Sequence, residues 1–513
     1  MELRAIRKLL PLTLAFVLGG CPSSTPPPKA AEPTKKLVVL MAVDQLPAWT
    51  FARHLSSFRG GFARLAKEGV VWTHGRYPYA ATITALGHTA LGTGAEPRRS
   101  GVAGNSWFDR SAGRWVDVTE DPAHLTVPPH PHDDGASPKY RLLEATGAGK
   151  KVLSLSHKER AAILMAPSHD AFAAWYEPNQ AAFVTSTAYA PARPAWLDAL
   201  AKEHPIAPRL ETYTWTPLPE TPSRALVPDD APGETGKYGL GTKFPHTLAG
   251  NKKAAFAMGA TPLASEVLVE AVIAGLDAVK PELLDVSFSA HDLAAHAWGQ
   301  ESWEATDLLF RMDEAVGKMF DAFDARYGKD GWSLVMSADH GGPSMPERVG
   351  GMRVDVADVE QAIKASVGSD ALDAIDERMI YVKQPDKIDA VVAAVKKVSG
   401  IGFVFRADMF ASNAECKDLP ELERSVCLSI YPGRSGDILY GPTEKTLVMR
   451  RPFEADLHGT PYDYDREVPI IVREPHRAAR VIDDEKPSTL RVAPTIARLL
   501  GVPPPPGAKE PPL

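Results

Sequence analysis

Asp44, Asp292, His296, Asp339, His340 and His458 are the residues of this chain whose types could bind metal and do chemistry together. Mixed carboxylate and imidazole donors suit zinc, with manganese or iron less favoured by ligand type. Six protein ligands exceed what one open catalytic zinc requires, so two ions is the natural count. A second candidate is the stretch Ala80-Ala81-Thr82-Ile83-Thr84-Ala85-Leu86-Gly87-His88-Thr89, which puts two hydroxyls into a turn entering a helical run of small residues. A hydroxyl at a helix start lies beside unpaired N–H groups and the positive end of the helix dipole, a setting for an alkoxide or a bound phosphate. Residue types alone leave open whether Thr82 or Thr84 is reactive or simply caps the helix.

The elements that must position these groups are legible as apolar runs. Leu37–Val43 has no polar alternation, the pattern of a strand buried on both faces of a parallel sheet. Similar runs occur at 152–155, 283–288, 333–337 and 468–472. Between them lie helical periods, one with Leu308, Leu309, Met312, Val316, Met319, Phe320 and Phe323 on one face and Ser302 as its cap, another from Leu263 to Val279. Strands alternating with helices predict an α/β fold around a mostly parallel sheet. Binding groups in such sheets gather beyond the carboxyl ends of the strands. Asp44, Asp292 with His296, and Asp339 with His340 each follow a predicted strand. From 353 to 408 the pattern changes to short strands at 379–382 and 401–405 around a helix at 388–398, a small α+β insertion, and a strand resumes at 435–440. A last helix, 488–500, is stopped by Gly501 and the Pro503–Pro506 run.

Val43-Asp44-Gln45, Thr82 to Thr89, Gly104-Asn105, Asp292-x-x-x-His296, Asp339-His340-Gly341 and His458-Gly459-Thr460 together resemble the alkaline phosphatase superfamily, in order and spacing, from about Lys36 to Leu500. That resemblance implies a central sheet sandwiched by helices. It implies one zinc held by Asp292, His296 and His458, and a second by Asp44, Asp339 and His340 with Thr84 as exchangeable partner. It selects Thr84 over Thr82 as the nucleophile of a phosphothreonine mechanism, with Asn105 donating to a phosphoryl oxygen. Sulfatases of this superfamily use a modified Cys or Ser in a Cys/Ser-x-Pro-x-Arg motif, which is not found at the nucleophile position here. Lys158-Glu159-Arg160, just beyond the run at 152–155, resembles the Lys-x-Arg motif of the phosphate-irrepressible alkaline phosphatases. The physical reason is charge: a monoester carries one more negative charge than a diester, and two cations would meet it. The resemblance therefore implies a phosphomonoesterase. A phosphodiesterase, nucleotide pyrophosphatase or phosphonate monoester hydrolase on the same metal core is the alternative.

The remaining composition sets the address. The chain has 513 residues, 44% hydrophobic and 24% charged, enough for a large core, and its net charge of −7 argues against a general nucleic-acid binder. Arg4, Arg7 and Lys8 precede an apolar run ending in Leu18-Gly19-Gly20-Cys21, which is similar to a bacterial lipobox. The expected organisation is a signal peptide at 1–20, a lipidated Cys21 with a flexible tether to 36, a catalytic domain at 37–502 with its insertion at about 353–408, and a Pro-rich tail at 503–513. Such a protein is periplasmic or at the cell surface, anchored to a bacterial membrane through Cys21. In an exported protein Cys416 and Cys427 are expected to form a disulfide stapling a surface loop.

Overall fold

Leu37–Val43 is a strand because both of its faces are covered. Leu37, Val39, Met41 and Val43 join one hydrophobic cluster, while Val38, Leu40 and Ala42 join another on the opposite face. The structure, a computed structural model, describes residues 36–129, 135–137, 149–166 and 171–513. The signal segment, Cys21 and the tether up to residue 35 lie outside the described residues, as does part of the Pro-rich stretch after Pro122. Among the described residues no helix is long and apolar enough to cross a membrane.

Among the described residues the central sheet has ten strands. Five of them lie parallel and adjacent in the order Trp332–Ser337, Leu37–Val43, Leu283–Phe288, Val152–Ser156 and Phe172–Glu177. Glu467–Arg473 is also a strand of this sheet, but it runs antiparallel to Trp332–Ser337. An apolar run buried on both faces reads alike in either direction, so the parallel orientation expected for 468–472 is corrected here. One face carries Pro262–Val279 and Trp303–Tyr327, the latter capped by Ser302, whose side chain accepts from the Ala305 N–H. The other face carries Val492–Leu500, whose Val492 and Ile496 meet Val38 and Leu40.

A second, antiparallel sheet has the order Leu372–Ile375, Met379–Val382, Ile438–Pro442 and Ile401–Arg406. It therefore reaches beyond the 353–408 span expected from the sequence, taking the strand near 435–440 as its third member. Val356–Val367 and Ile388–Val395 cover it with a separate apolar cluster that includes Val359, Ile363, Ile380 and Val391. Cys416 and Cys427 form the expected disulfide; both cysteines are buried, and the bond ties the largely exposed loop at 411–420 to the helix Glu421–Ser429. The Pro-rich end of the chain folds back: the Arg99 guanidinium donates to the Gly507 carbonyl, and the Leu513 N–H donates to the Thr495 hydroxyl.

Candidate metal centre and active-site cavity

Four neighbouring parallel strands end at one place. Leu37–Val43 delivers Asp44, Leu283–Phe288 leads into the helix Ala290–Trp298 carrying Asp292 and His296, and Trp332–Ser337 delivers Asp339 and His340. Val152–Ser156 delivers Lys158. His458 arrives separately, on the loop before Glu467–Arg473. Asp44, Asp292, Asp339 and His340 are at most 2% exposed and His458 7%.

The hydrogen bonds of these side chains leave one ligand atom free on each. His340 Nδ1 donates to the Gly341 carbonyl at 3.0 Å, His458 Nδ1 to the Thr82 carbonyl at 2.8 Å, and His296 Nδ1 to the Asp456 carbonyl at 3.1 Å. A carbonyl can only accept, so each ring is fixed with its Nε2 lone pair available, the tautomer that binds metal. The carboxylates divide likewise. Lys158 Nζ donates to Asp44 Oδ2 at 2.6 Å and to Asp292 Oδ2 at 2.5 Å. Asp339 Oδ1 accepts from the Gln45 and His340 N–H groups, each at 3.0 Å. Asp44 Oδ1, Asp292 Oδ1, Asp339 Oδ2 and His340 Nε2 are buried without a hydrogen-bond partner.

These free atoms face one another. Asp339 Oδ2 and Asp44 Oδ1 lie 3.3 and 3.5 Å from His340 Nε2. Asp292 Oδ1 lies 3.3 Å from His296 Nε2 and 3.5 Å from His458 Nε2. Ligands about 2.1 Å from a tetrahedral zinc are roughly 3.3–3.4 Å apart, so both sets have the spacing such an ion needs. The sets touch: the His340 and His458 rings stack with centroids 3.6 Å apart, and Asp292, His340 and His458 also form a compact trio. Three buried carboxylates face one lysine ammonium, an uncompensated negative charge that favours bound divalent cations. Burial opposes the charge on Lys158, but Asp292 and Asp44 outweigh it and raise its pKa. Burial pushes His340 down to about 3, so it is neutral and able to coordinate.

Thr84 is the first residue of the helix Thr84–Thr93, all ten of whose residues are buried. The cap position is Ile83, and no side chain caps the helix there, so neither Thr82 nor Thr84 does so. The next N–H, of Ala85, donates to Asn105 Oδ1 at 2.9 Å, which leaves the Asn105 amide NH2 to donate elsewhere. Thr84, Asn105, Lys158, Arg160, Asp292, His296 and His458 all line one cavity of about 680 Å³, with Lys237, Tyr238, Phe256 and Arg378 among the rest of its wall.

Several further residues support the candidate ligands. Gln45 has a positive φ of 58°, which turns its N–H onto Asp339, and its side chain donates to Asp456 Oδ2 at 3.1 Å. Glu454 and Asp456 carboxylates lie 3.0 and 3.3 Å from His296 Nδ1. His88 lies in the helix Thr84–Thr93, with Nδ1 donating to the Thr84 carbonyl at 2.8 Å and 3.2 Å from Asp339 Oδ2. The alternation Glu454-x-Asp456-x-His458 is the sequence hint to the two carboxylates beside His296.

The fold and this site define a class. The chain belongs to the type I phosphodiesterase / nucleotide pyrophosphatase family, whose model matches residues 38–452, within the alkaline phosphatase superfamily. Among its relatives, alkaline phosphatase PhoK of Sphingomonas sp. is 28% identical over 496 residues, covering 86% of this chain and 84% of its own. Alkaline phosphatase PafA of Elizabethkingia meningoseptica is 26% identical over 536 residues, covering 94% of both. The crystal structure of wild-type PafA superposes with a TM-score of 0.85 at 24% identity, over 94% of this chain and 99% of that one. A second PafA structure, with a TM-score of 0.84 at 23% identity over 94% and 99% of the two chains, carries substitutions of a threonine, an asparagine, a lysine and an arginine.

Proposed function

We propose that this chain is an exported di-zinc phosphomonoesterase that releases inorganic phosphate through a phosphothreonine intermediate. The observation that carries it is the convergence of Thr84, Asn105, Lys158 and Arg160 on one cavity that Asp292, His296 and His458 also line, with the Asp44, Asp339 and His340 set directly beside them. The substituted PafA supports these four residues: its threonine and asparagine are as far apart in sequence as Thr84 and Asn105, and its lysine and arginine as Lys158 and Arg160.

Asp292, His296 and His458 would hold one ion, and Asp44, Asp339 and His340 the other. When bound, the ions supply positive charge that acidifies the nucleophile, stabilises the leaving oxygen and activates the water of the second step. Thr84 Oγ attacks phosphorus in line, and the ester oxygen leaves on the opposite side. Asn105 and Arg160 donate to the non-bridging oxygens and hold the phosphoryl group for that attack. Lys158 locks the outer oxygens of Asp44 and Asp292, fixing one ligand of each set, and brings its charge to the same cavity. Residues 1–20 and Cys21 would direct export and lipid anchoring, a reading that the Cys416–Cys427 disulfide supports, because such bonds persist in oxidising compartments.

A diesterase is the second reading, favoured by the family model itself. Measuring kcat/KM on phenyl phosphate and on its methyl diester separates the two. The monoester should be preferred, and Arg160→Ala or Lys158→Ala should reduce its turnover more than the diester's. Diester preference, indifferent to both substitutions, would overturn the proposal.

A further inference from the structure

A transferring phosphoryl group occupies only part of a cavity of about 680 Å³, the size that encloses a whole small-molecule ligand. The rest must receive the leaving alcohol. Lys158 and Arg160 follow a strand of the main sheet and Asn105 precedes the short strand Ser106–Asp109, whereas Arg378 reaches the same cavity from the four-stranded antiparallel sheet.

Its position is closely fixed. Arg378 lies in the turn between Leu372–Ile375 and Met379–Val382. Its N–H donates to Asp376 Oδ1 at 2.8 Å, and its carbonyl accepts from the Tyr440 N–H at 3.0 Å. The side chain packs over the His458–Gly459 turn. A Cβ at Gly459 would lie 3.4 Å from Arg378 Cδ and 3.6 Å from Nη1, and Gly459 has a φ of +106° that other residues rarely adopt. The guanidinium therefore lies beside a candidate metal ligand, His458.

The charge of Arg378 is available. Lys158 is held by two carboxylates, and Lys237 is paired with Glu454. Arg378 has a loose contact, 3.9 Å, to Asp376, and its side chain is 20% exposed. A guanidinium presents five donors, so most of its hydrogen-bonding capacity remains for a ligand.

We propose that Arg378 is a specificity-determining residue that binds a second anionic group, a carboxylate or phosphate, carried by the leaving alcohol. This rests on the monoesterase reading above. The test compares kcat/KM for 4-carboxyphenyl phosphate with that for phenyl phosphate, in wild type, Arg378→Ala, Arg378→Lys and Arg378→Glu, on zinc-loaded protein with unchanged melting temperature. The ratio should fall about tenfold in Arg378→Ala, the worth of one charge-assisted hydrogen bond at a partly exposed site. It should fall further in Arg378→Glu and be largely kept in Arg378→Lys, with the difference seen mainly in KM. An unchanged ratio in both Arg378→Ala and Arg378→Glu overturns this inference while leaving the monoesterase reading intact. A wild type inactive on both esters overturns that reading, and this inference with it.

Discussion

Thr84 can be separated from the groups that would hold metal, because its side chain is a hydroxyl at a helix start and theirs are imidazoles and carboxylates oriented by other partners. Thr84→Ala is expected to lower phenyl phosphate turnover by about a thousandfold or more, as loss of a covalent nucleophile does elsewhere. Elemental analysis should still find close to two zinc ions per chain. Retained turnover would mean the nucleophile is misassigned. At this scale the sequence was informative where chemistry needs a particular residue type. Asp44, Asp339 and His340 stood out because acids and imidazoles are conspicuous at the ends of apolar runs. Gln45 and the carbonyls of Gly341, Thr82 and Asp456 did not, because they act through backbone conformation and backbone oxygens. Nothing in residue type announces either.

Glycine sets the helix Thr84–Thr93 against the strand end at Asp339 and against the helix Glu159–Met165. A Cβ at Gly87 would stand 2.0 Å from the Asp339 carbonyl oxygen, and one at Gly92 2.0 Å from the Met165 carbonyl oxygen. Neither position has a flexible side chain opposite that could yield. Gly87→Ala should therefore push the helix away from Asp339, costing about 1–3 kcal/mol by overpacking despite alanine's better helix propensity. Thermal unfolding should register that loss, and phosphatase activity should fall with it because Thr84 moves relative to Asp339. An equal or higher melting temperature would show that the helix and strand end are not in rigid contact. The glycine pair was visible in the sequence only as part of a small-residue run. Which backbone it meets is a tertiary fact, as are the antiparallel direction of Glu467–Arg473 and the approach of Arg378 from the second sheet.

Stability of the whole molecule should depend on pH on the acid side for a reason outside the candidate metal centre. Burial, with smaller contributions from Arg53 and Arg224, lowers His54 from 6.5 to about 4. Its ring lies 5.3 Å from that of Phe310, joining the helix Ala48–His54 to Trp303–Tyr327. Between those two values the unfolded chain holds a proton that the folded chain rejects. Stability is thus complete above about 6.5 and declines as pH falls towards 4, by up to about 3 kcal/mol. Melting curves of wild type and His54→Leu across that range should diverge, with the variant flatter. Parallel slopes would assign the acid loss to other groups.

The four strands that bring Asp44, Lys158, Asp292 and Asp339–His340 together are side by side in the sheet but scattered along the chain. Asp44 meets Asp339 and His340 only once Leu37–Val43 pairs with Trp332–Ser337, and Asp292 and His296 meet His458 only once that later loop is in place. Pairings of such long range form slowly and late. A half-made chain, ending before Asp292, would own neither coordination sphere. Metal capture would then be the last event of assembly and a report that the sheet is finished, so the chain would meet the metal supply of wherever it completes its folding.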